Sequence, residues 1–201
     1  MELKEVIAAR RSIRKFKPDP IPDGVVNELL EAARLAPSGT NLQPWRFVIV
    51  KSPEMREKLS AAIFLRFITQ APVLFVCCAD LTATRLTGNR LVELKEAGAF
   101  AGTDLENFDP ASYPVREMEA EAAKAYVSLN VAIAVEHLVL RATDLGLGSC
   151  WTMMFRPKKV KEILDLDENL HVVTIVPVGY PDHSPGPRPR LPVESIVVKT
   201  L

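Results

Sequence analysis

Residues 119–146 read EAEAAKAYVSLNVAIAVEHLVLRATDLG, a long segment with a helical pattern. Past its first turns the segment becomes apolar on most faces. A helix of this kind is typically buried on several sides. The segment is therefore predicted to be the central helix around which the rest of the chain packs.

Apolar segments on both sides of this helix predict the strands of a sheet. WRFVIVK (45–51) is apolar nearly throughout, which favours a central strand, and APVLFVCCA (71–79) is a second buried strand. Other predicted strands are LHVVTIVPVGY (170–180), a short one in GLGSCW (146–151) and a strand-like IVVKT (196–200) in the tail.

Further helices are predicted between these strands. Asp23 is expected to cap the helix VVNELLEAARLA. The other predicted helices cover 2–10, PEMREKLSAAIF (53–64) and PKKVKEILDL (157–166). Strands separated by helices predict a three-layer α/β/α arrangement, either mixed α/β or α+β, with the strand order left open.

Composition limits the class of protein. The 201 residues fit one domain, and 25 Lys+Arg balance 25 Asp+Glu. An isoelectric point near 6.8 argues against a general nucleic-acid binder. A mean hydropathy of +0.09 suggests some apolar surface hidden in an oligomer. The start lacks the apolar core of a signal peptide and no apolar run reaches a membrane span, so a cytoplasmic protein is expected.

The cysteine and histidine residues do not suggest a metal or disulfide framework. Cys77, Cys78 and Cys150 are interpreted as small buried thiols in a reducing compartment. The three histidines are far apart and have no partner at metal-ligand spacing. No metal site is predicted.

Positive charge is concentrated near the start of the chain. Residues 10–17, RRSIRKFK, hold five basic residues and no acidic one. Three interpretations compete: a solvated surface patch, a nucleic-acid arm, or a pocket for one specific anion. Guanidinium groups match a phosphate well because they can bind it in bidentate fashion.

Two other segments suit a flat, anionic ligand. In GPRPRLP (186–192), Arg188 and Arg190 alternate along a proline-stiffened segment and so point to the same side. The loop PSGTNLQPW (37–45) supplies backbone N–H groups and the amides Asn41 and Gln43. Each segment also has an ordinary interpretation, as an unanchored tail or as a helix-to-strand connection.

Taken together and in this order, the motifs resemble the FMN-dependent nitroreductase family. The resemblance covers nearly the whole chain except residues 81–118, a predicted excursion or lid. The matching segments are RRSIRKF, PSGTNLQPWRFVIV, APVLFVCC, SLNVAIAVEHL, DLGLGSCW, VPVGYP and RPRLPVESIV.

The resemblance implies the fold and assembly. It implies a single nitroreductase-like domain over residues 1–201, of α+β class, with a mixed, mostly antiparallel sheet flanked by helices. It also implies an intertwined homodimer with FMN at the interface and NADH or NADPH as hydride donor.

The resemblance also implies the residues that would hold FMN. Arg10, Ser12, Arg14 and Arg190 would hold the phosphate and ribityl chain, with Arg11 and Arg188 nearby. The partner's loop would meet the ring edge. The full cofactor-binding set is Arg10, Arg11, Ser12, Arg14, Pro37, Ser38, Gly39, Asn41, Trp151, Thr152, Met153, Met154, Arg188 and Arg190.

The implied reaction is ping-pong hydride transfer through flavin N5 to a nitroaromatic, quinone or similar acceptor, with no protein residue assigned as acid or base. The alternatives are a divergent flavin enzyme (flavin fragmentation, dehalogenation or azoline oxidation) and a non-catalytic flavin-binding protein. Met153 and Met154 depart from the glycine or Glu-Gly of many relatives. Phe64 and Phe67 lie where many relatives have an asparagine that contacts the flavin.

Overall fold

A four-stranded sheet lies at the centre of the fold, and its strands pair in the order β1-β2-β4-β3. The computed structural model describes residues 1–112 and 118–201, so residues 113–117 of the predicted excursion lie outside the described residues. All neighbouring strands are antiparallel, and one parallel bridge joins Ser12 to Ser149. The predicted α+β class and antiparallel character of the sheet are confirmed; the sheet was also predicted to be mixed, but its only parallel pairing among the described residues is this isolated bridge. The strands are β1 Trp45–Val50, β2 Val73–Asp80, β3 Gly148–Ser149 and β4 Leu170–Gly179.

Helices cover both faces of this sheet. The predicted central helix is confirmed as the 25-residue α6, and the excursion contains a helix, α5, that the sequence analysis did not predict. Short 3-10 turns occur at Gly39–Asn41, Ala83–Leu86 and Pro110–Ser112. The helices are α1 Leu3–Ala9, α2 Asp23–Arg34, α3 Pro53–Ser60, α4 Arg66–Gln70, α5 Thr87–Glu96, α6 Ala120–Asp144, α7 Pro157–Leu164 and α8 Val193–Ile196.

Strand β2 divides the core into two layers. Because neighbouring strand residues point to opposite faces, Phe75 and Cys77 pack with α2 and α6, whereas Leu74, Val76 and Cys78 pack on the side of α3, α4 and α7. The three-layer arrangement is confirmed, and the three cysteines are buried and free, as predicted.

Helix α6 meets the length and composition of a membrane span, a test that the core helix of a soluble protein also passes. Its residues Val131, Val135 and Leu138 are fully buried in the layer between α2 and the sheet. The apolar pattern of this helix is therefore explained by packing within the fold.

The predicted central position of the 45–51 strand is wrong within this chain. β1 lies at one end of the strand order and pairs only with β2 among the described residues. Its apolar character arises because both faces are covered: Phe47 and Ile49 pack against one core layer and Val48 against the other. Apolar side chains on both faces of a strand indicate that layers cover it above and below. They do not indicate whether another strand pairs with each of its edges.

Two local predictions are also corrected. Asp23 is the first residue of α2, and Pro22 occupies the capping position; the Asp23 carboxylate instead pairs with Lys51. The tail residues 196–200 do not form a strand within the chain, and the short helix α8 ends at Ile196. An isolated extended segment has no partner for its backbone hydrogen bonds, so its apolar pattern alone cannot produce a strand.

The buried thiols predict a loss of stability at alkaline pH. Burial raises the pKa of Cys78 from 9.0 to about 11. Because the folded-state pKa is the higher one, the stabilisation is complete below pH 9 and is lost as the pH rises from 9 through about 11. We expect the free energy of unfolding to fall by about 1 to 2 kcal/mol between pH 8 and 10.5 from this group. Urea unfolding in reducing buffer measures it.

The control for this prediction is Cys78→Ala, which removes the titrating group. This variant should lose less stability between pH 8 and 10.5 than the wild type, even if it is less stable at both pH values. Equal losses in the two proteins would contradict the prediction.

Candidate functional site

The basic segment at residues 10–14 lies in an extended conformation along β3. Ser12 forms the parallel bridge to Ser149, and the Ile13 N–H donates to the Ser149 carbonyl at 2.9 Å. Ile13 is buried against Gly148, where a Cβ atom would lie 2.7 Å from the isoleucine side chain. The glycine therefore permits the close approach, and the alternation directs Arg10, Ser12 and Arg14 away from Ile13.

The thiol of Cys150 shows that these three predicted phosphate ligands come together. Burial raises the pKa of Cys150, and this effect is opposed by the Arg14 guanidinium, by a hydrogen bond with Ser12 and by Arg10. Within residues 1–112 and 118–201, Arg10 and Arg14 make no side-chain hydrogen bond or ion pair. Two unpaired guanidinium groups beside a hydroxyl are suited to hold a phosphate.

Arg11 points to a different place. Its Nη1 donates to the Ala8 carbonyl at 2.6 Å and to the Arg10 carbonyl at 2.8 Å. It also lines a separate groove with His183 and Pro185. The structure therefore uses Arg11 to bond the carbonyls at the end of α1 and does not bring it beside Ser12.

The loop at residues 37–43 is held against α6 in a strained conformation. Thr40, Asn41 and Gln43 have φ values of 51°, 51° and 47°, in the left-handed region that non-glycine residues rarely adopt. The Gln43 N–H donates to the Ser38 hydroxyl at 3.0 Å. Pro37 is exposed, and the Asn41 side chain makes no hydrogen bond with the described residues. The Asn41 amide therefore has its donors and its acceptor available to a ligand.

Two residues that the sequence analysis did not assign to the site fix this loop. The buried Asn130 accepts from the Gly39 N–H at 2.8 Å and donates to the Tyr126 carbonyl at 2.8 Å. A Cβ atom on Gly39 would lie 1.8 Å from the Tyr126 hydroxyl. A single asparagine inside an apolar helix was the available signal for such an anchor.

The segment from Trp151 to Met154 continues directly from Cys150. The Trp151 indole donates to Glu136 at 3.0 Å, and the Thr152 hydroxyl donates to the Ile175 carbonyl inside the protein. Met153 and Met154 are exposed, and their backbone N–H groups donate to no described residue. These two N–H groups and the thioether side chains follow Cys150 in the chain, and Cys150 is the residue beside which Arg10, Ser12 and Arg14 lie.

The arginines of the tail are not brought to this cluster within one chain. Arg188 and Arg190 are exposed, and the Arg190 guanidinium donates only to the Pro189 carbonyl among the described residues. The side chains of the tail from Gly186 onward are exposed as well. Among the described residues, no hydrogen bond or ion pair joins residues 186–201 to the body of the chain.

Part of the predicted excursion packs near the site. Helix α5 contacts the Gly39–Asn41 turn, and its Leu91 is buried. Among the described residues, no group of three or more His, Cys, Asp or Glu side chains is placed to hold a metal ion. The polar groups available at the site are thus guanidinium, hydroxyl, amide and backbone N–H groups.

The chain has an α+β fold with a basic cluster beside Cys150, and known proteins share this fold. The family model described as the nitroreductase family matches residues 7–180. The chain belongs to the nitroreductase family. The matched range includes the basic segment, the 37–43 loop and Trp151–Met154, and it ends before Arg188 and Arg190.

Individual relatives agree over nearly the full length. An NADH dehydrogenase of Thermus thermophilus is 35% identical over 203 residues, covering 98% of this chain and 96% of that protein. A nitroreductase family protein of Streptococcus pneumoniae TIGR4 has a TM-score of 0.81 at 28% identity, covering 99% and 100% of the chains. A protein of Exiguobacterium sibiricum 255-15, solved in complex with FMN, has a TM-score of 0.82 at 23% identity, covering 100% and 98%, and supports the fold.

Proposed function

We propose that this chain is an FMN-dependent oxidoreductase that transfers a hydride from NADH or NADPH to nitroaromatic, quinone or similar acceptors. The observation that carries the proposal is the pair of unpaired guanidinium groups, Arg10 and Arg14, beside the Ser12 hydroxyl. This cluster fits a terminal phosphate, and the exposed apolar side chains of Met153 and Met154 follow Cys150 in the same segment of chain. Membership of the nitroreductase family also supports this proposal.

The roles of the residues follow from this fit. Arg10, Ser12 and Arg14 would hold the phosphate and ribityl chain, and the free N–H groups of Met153 and Met154 would face the ring. FMN supplies the redox chemistry when bound, accepting a hydride at N5 and passing it on. The protein binds and orients the ring, excludes water from one face and places positive charge near it.

We further propose that the site is completed by a second copy of the chain. Leu3, Ile7 and Leu129 are exposed on α1 and α6, with 66%, 58% and 61% of their surface accessible. Apolar side chains on neighbouring helices are suited to burial in an interface. The partner's 37–43 loop and the partner's tail arginines would then reach the cluster that one chain leaves open.

The exposed tail and the open edge of β1 support the same assembly. Within residues 1–112 and 118–201, the outer edge of β1 pairs with no strand. A groove of about 860 Å³ is lined by β1 and its neighbours, including Val26, Leu30, Val48 and Met55. Val198 in the tail is fully exposed. An extended apolar segment added to an open sheet edge satisfies the backbone groups of both.

The dimer predicts a measurable mass and a truncation effect. The wild type should sediment at about twice 22.2 kDa, and removing residues 191–201 should yield a monomer with reduced FMN content. Lys199→Ala, a change within the same tail, should remain dimeric and flavin-bound. A wild-type monomer that retains flavin would refute the interfacial site.

We propose that residues 1–201 form one nitroreductase-like domain, that the excursion at about 81–118 acts as a lid, and that the protein is cytoplasmic. The contact of α5 with the Gly39–Asn41 turn supports the lid. Closure there would cover the ring edge that the loop meets.

The visible spectrum of the purified protein tests the proposed function. We expect a flavin spectrum that bleaches on anaerobic addition of NADH or NADPH and returns when a quinone or nitroaromatic is added. A flavin spectrum that does not change on addition of NADH or NADPH would instead indicate a divergent flavin enzyme or a carrier. No flavin after reconstitution with FMN would overturn the proposal.

A further inference from the structure

Four side chains, two of them in the segment that would contact the flavin, form an exposed surface. Phe64, Met153 and Met154 have 55%, 74% and 57% of their surface accessible, and Arg156 is also exposed. We refer to Phe64, Met153, Met154 and Arg156 as the Phe64 patch. Three large apolar side chains in one exposed place are unusual unless they meet something else.

The backbone of the Phe64 patch is fixed from two sides. The Thr152 carbonyl accepts from the Ile175 N–H at 3.1 Å, which ties the start of the segment to β4. The Phe64 N–H donates to the Met154 carbonyl at 3.2 Å, and the Arg156 N–H donates to the Ala62 carbonyl at 2.8 Å. Residues 62–64 were predicted to be the end of a helix, but α3 ends at Ser60 and these residues run beside 154–156.

This pairing places the positively charged Arg156 guanidinium over the Phe64 ring. The Arg156 guanidinium carbon lies 5.1 Å from the centre of the Phe64 ring. Among residues 1–112 and 118–201, Arg156 forms no ion pair and its side chain donates no hydrogen bond. A guanidinium stacked on an aromatic face is oriented while its N–H groups stay free for an anion.

We propose that the Phe64 patch selects electron acceptors that carry a carboxylate on an aromatic ring. The thioethers of Met153 and Met154 and the edge of Phe64 contact the ring of the acceptor, and Arg156 binds its carboxylate. This inference rests on the proposed function, since it concerns the acceptor of that reaction. Arg156 is a specificity-determining residue and takes no part in the hydride transfer.

Two probes that share a ring and differ in whether the substituent is charged test the proposal by binding. 2-Naphthoate and 2-naphthamide present the same ring, and neither accepts a hydride. Isothermal titration into the oxidised flavoprotein should give roughly tenfold tighter binding of the carboxylate than of the amide, a preference that Arg156→Gln abolishes. Lys158→Ala, which removes another exposed charge two residues away, should keep the preference. An unchanged preference in Arg156→Gln would overturn the proposal.

Kinetics and oligomeric state distinguish acceptor binding from nucleotide binding and from subunit contact at the Phe64 patch. Turnover of a neutral quinone should be the same in Arg156→Gln and wild type; absence of flavin or of this turnover in the wild type would defeat the proposed function itself. If Arg156→Gln slows flavin reduction by NADH or NADPH and leaves naphthoate binding intact, the anion is the nucleotide's phosphate and the acceptor assignment is wrong. If Phe64→Ser is monomeric, the patch belongs to the subunit interface, which also overturns the proposal.

Discussion

Arg190→Ala is expected to lower the affinity for FMN by about 1.5 to 3 kcal/mol, which is roughly 10- to 150-fold. The guanidinium is exposed and bonds only to the neighbouring Pro189 carbonyl, so the chain itself gives this charge no partner among the described residues. A charge-assisted bond to the phosphate would supply that partner. Fluorescence titration of FMN into the apoprotein measures the change.

Two variants sharpen this test. Lys199→Ala removes a positive charge from the same tail and should leave the affinity unchanged. Arg190→Lys keeps the charge but loses the bidentate fork, so its affinity should fall between those of wild type and Arg190→Ala. If Arg190→Ala binds FMN as tightly as the wild type, the assignment of this residue to the phosphate is wrong.

The second large effect is expected from Gly39→Ala. The new methyl group would lie 1.8 Å from the Tyr126 hydroxyl and 2.9 Å from the adjacent ring carbon, so either the loop or the tyrosine must move. We expect the free energy of unfolding to fall by about 1 to 3 kcal/mol. FMN affinity should fall at least about tenfold, because the loop also carries Ser38 and Asn41. Chemical denaturation and FMN titration measure the two effects.

The collision itself can be isolated by a second substitution. Tyr126→Phe removes the closest atom but leaves the ring carbon at 2.9 Å, so Gly39→Ala combined with Tyr126→Phe should recover part of the lost stability. Gly88→Ala is the matched control, since a Cβ atom there meets nothing within 4 Å and the helix should be unaffected or slightly stabilised. If the double variant is no more stable than Gly39→Ala, contact with Tyr126 is not the cause.

Local patterns predicted much of the fold. The apolar run at 71–79 and the long helix at 119–146 were identified because burial on two faces or on several faces leaves a direct mark on residue type. The edge position of β1 could not be found in this way, since its outer neighbour changes no side chain within the strand. The strand predicted in the tail was wrong for a related reason, because strand pairing requires a partner that is distant in the sequence.

Some features of the candidate site could likewise be predicted from local patterns, and others could not. The residue types and order of RRSIRKF and PSGTNLQPW indicated an anion and a flat ring, and the chain belongs to the family they resemble. The sequence could not separate Arg11 from its neighbours. That separation depends on Ile13 packing against Gly148, which sends alternate side chains to opposite sides.

The amino-acid sequence by itself determined the layers, the central helix and the buried thiols, because each depends on local residue types. It indicated the class of ligand through the resemblance of its ordered motifs to a known family. Tertiary structure alone decided which charges meet. It placed Arg10 and Arg14 beside Cys150, fixed the 37–43 loop through Asn130 and set Arg156 on Phe64. These contacts join residues that are far apart in the chain, and only packing brings such residues to within bonding distance.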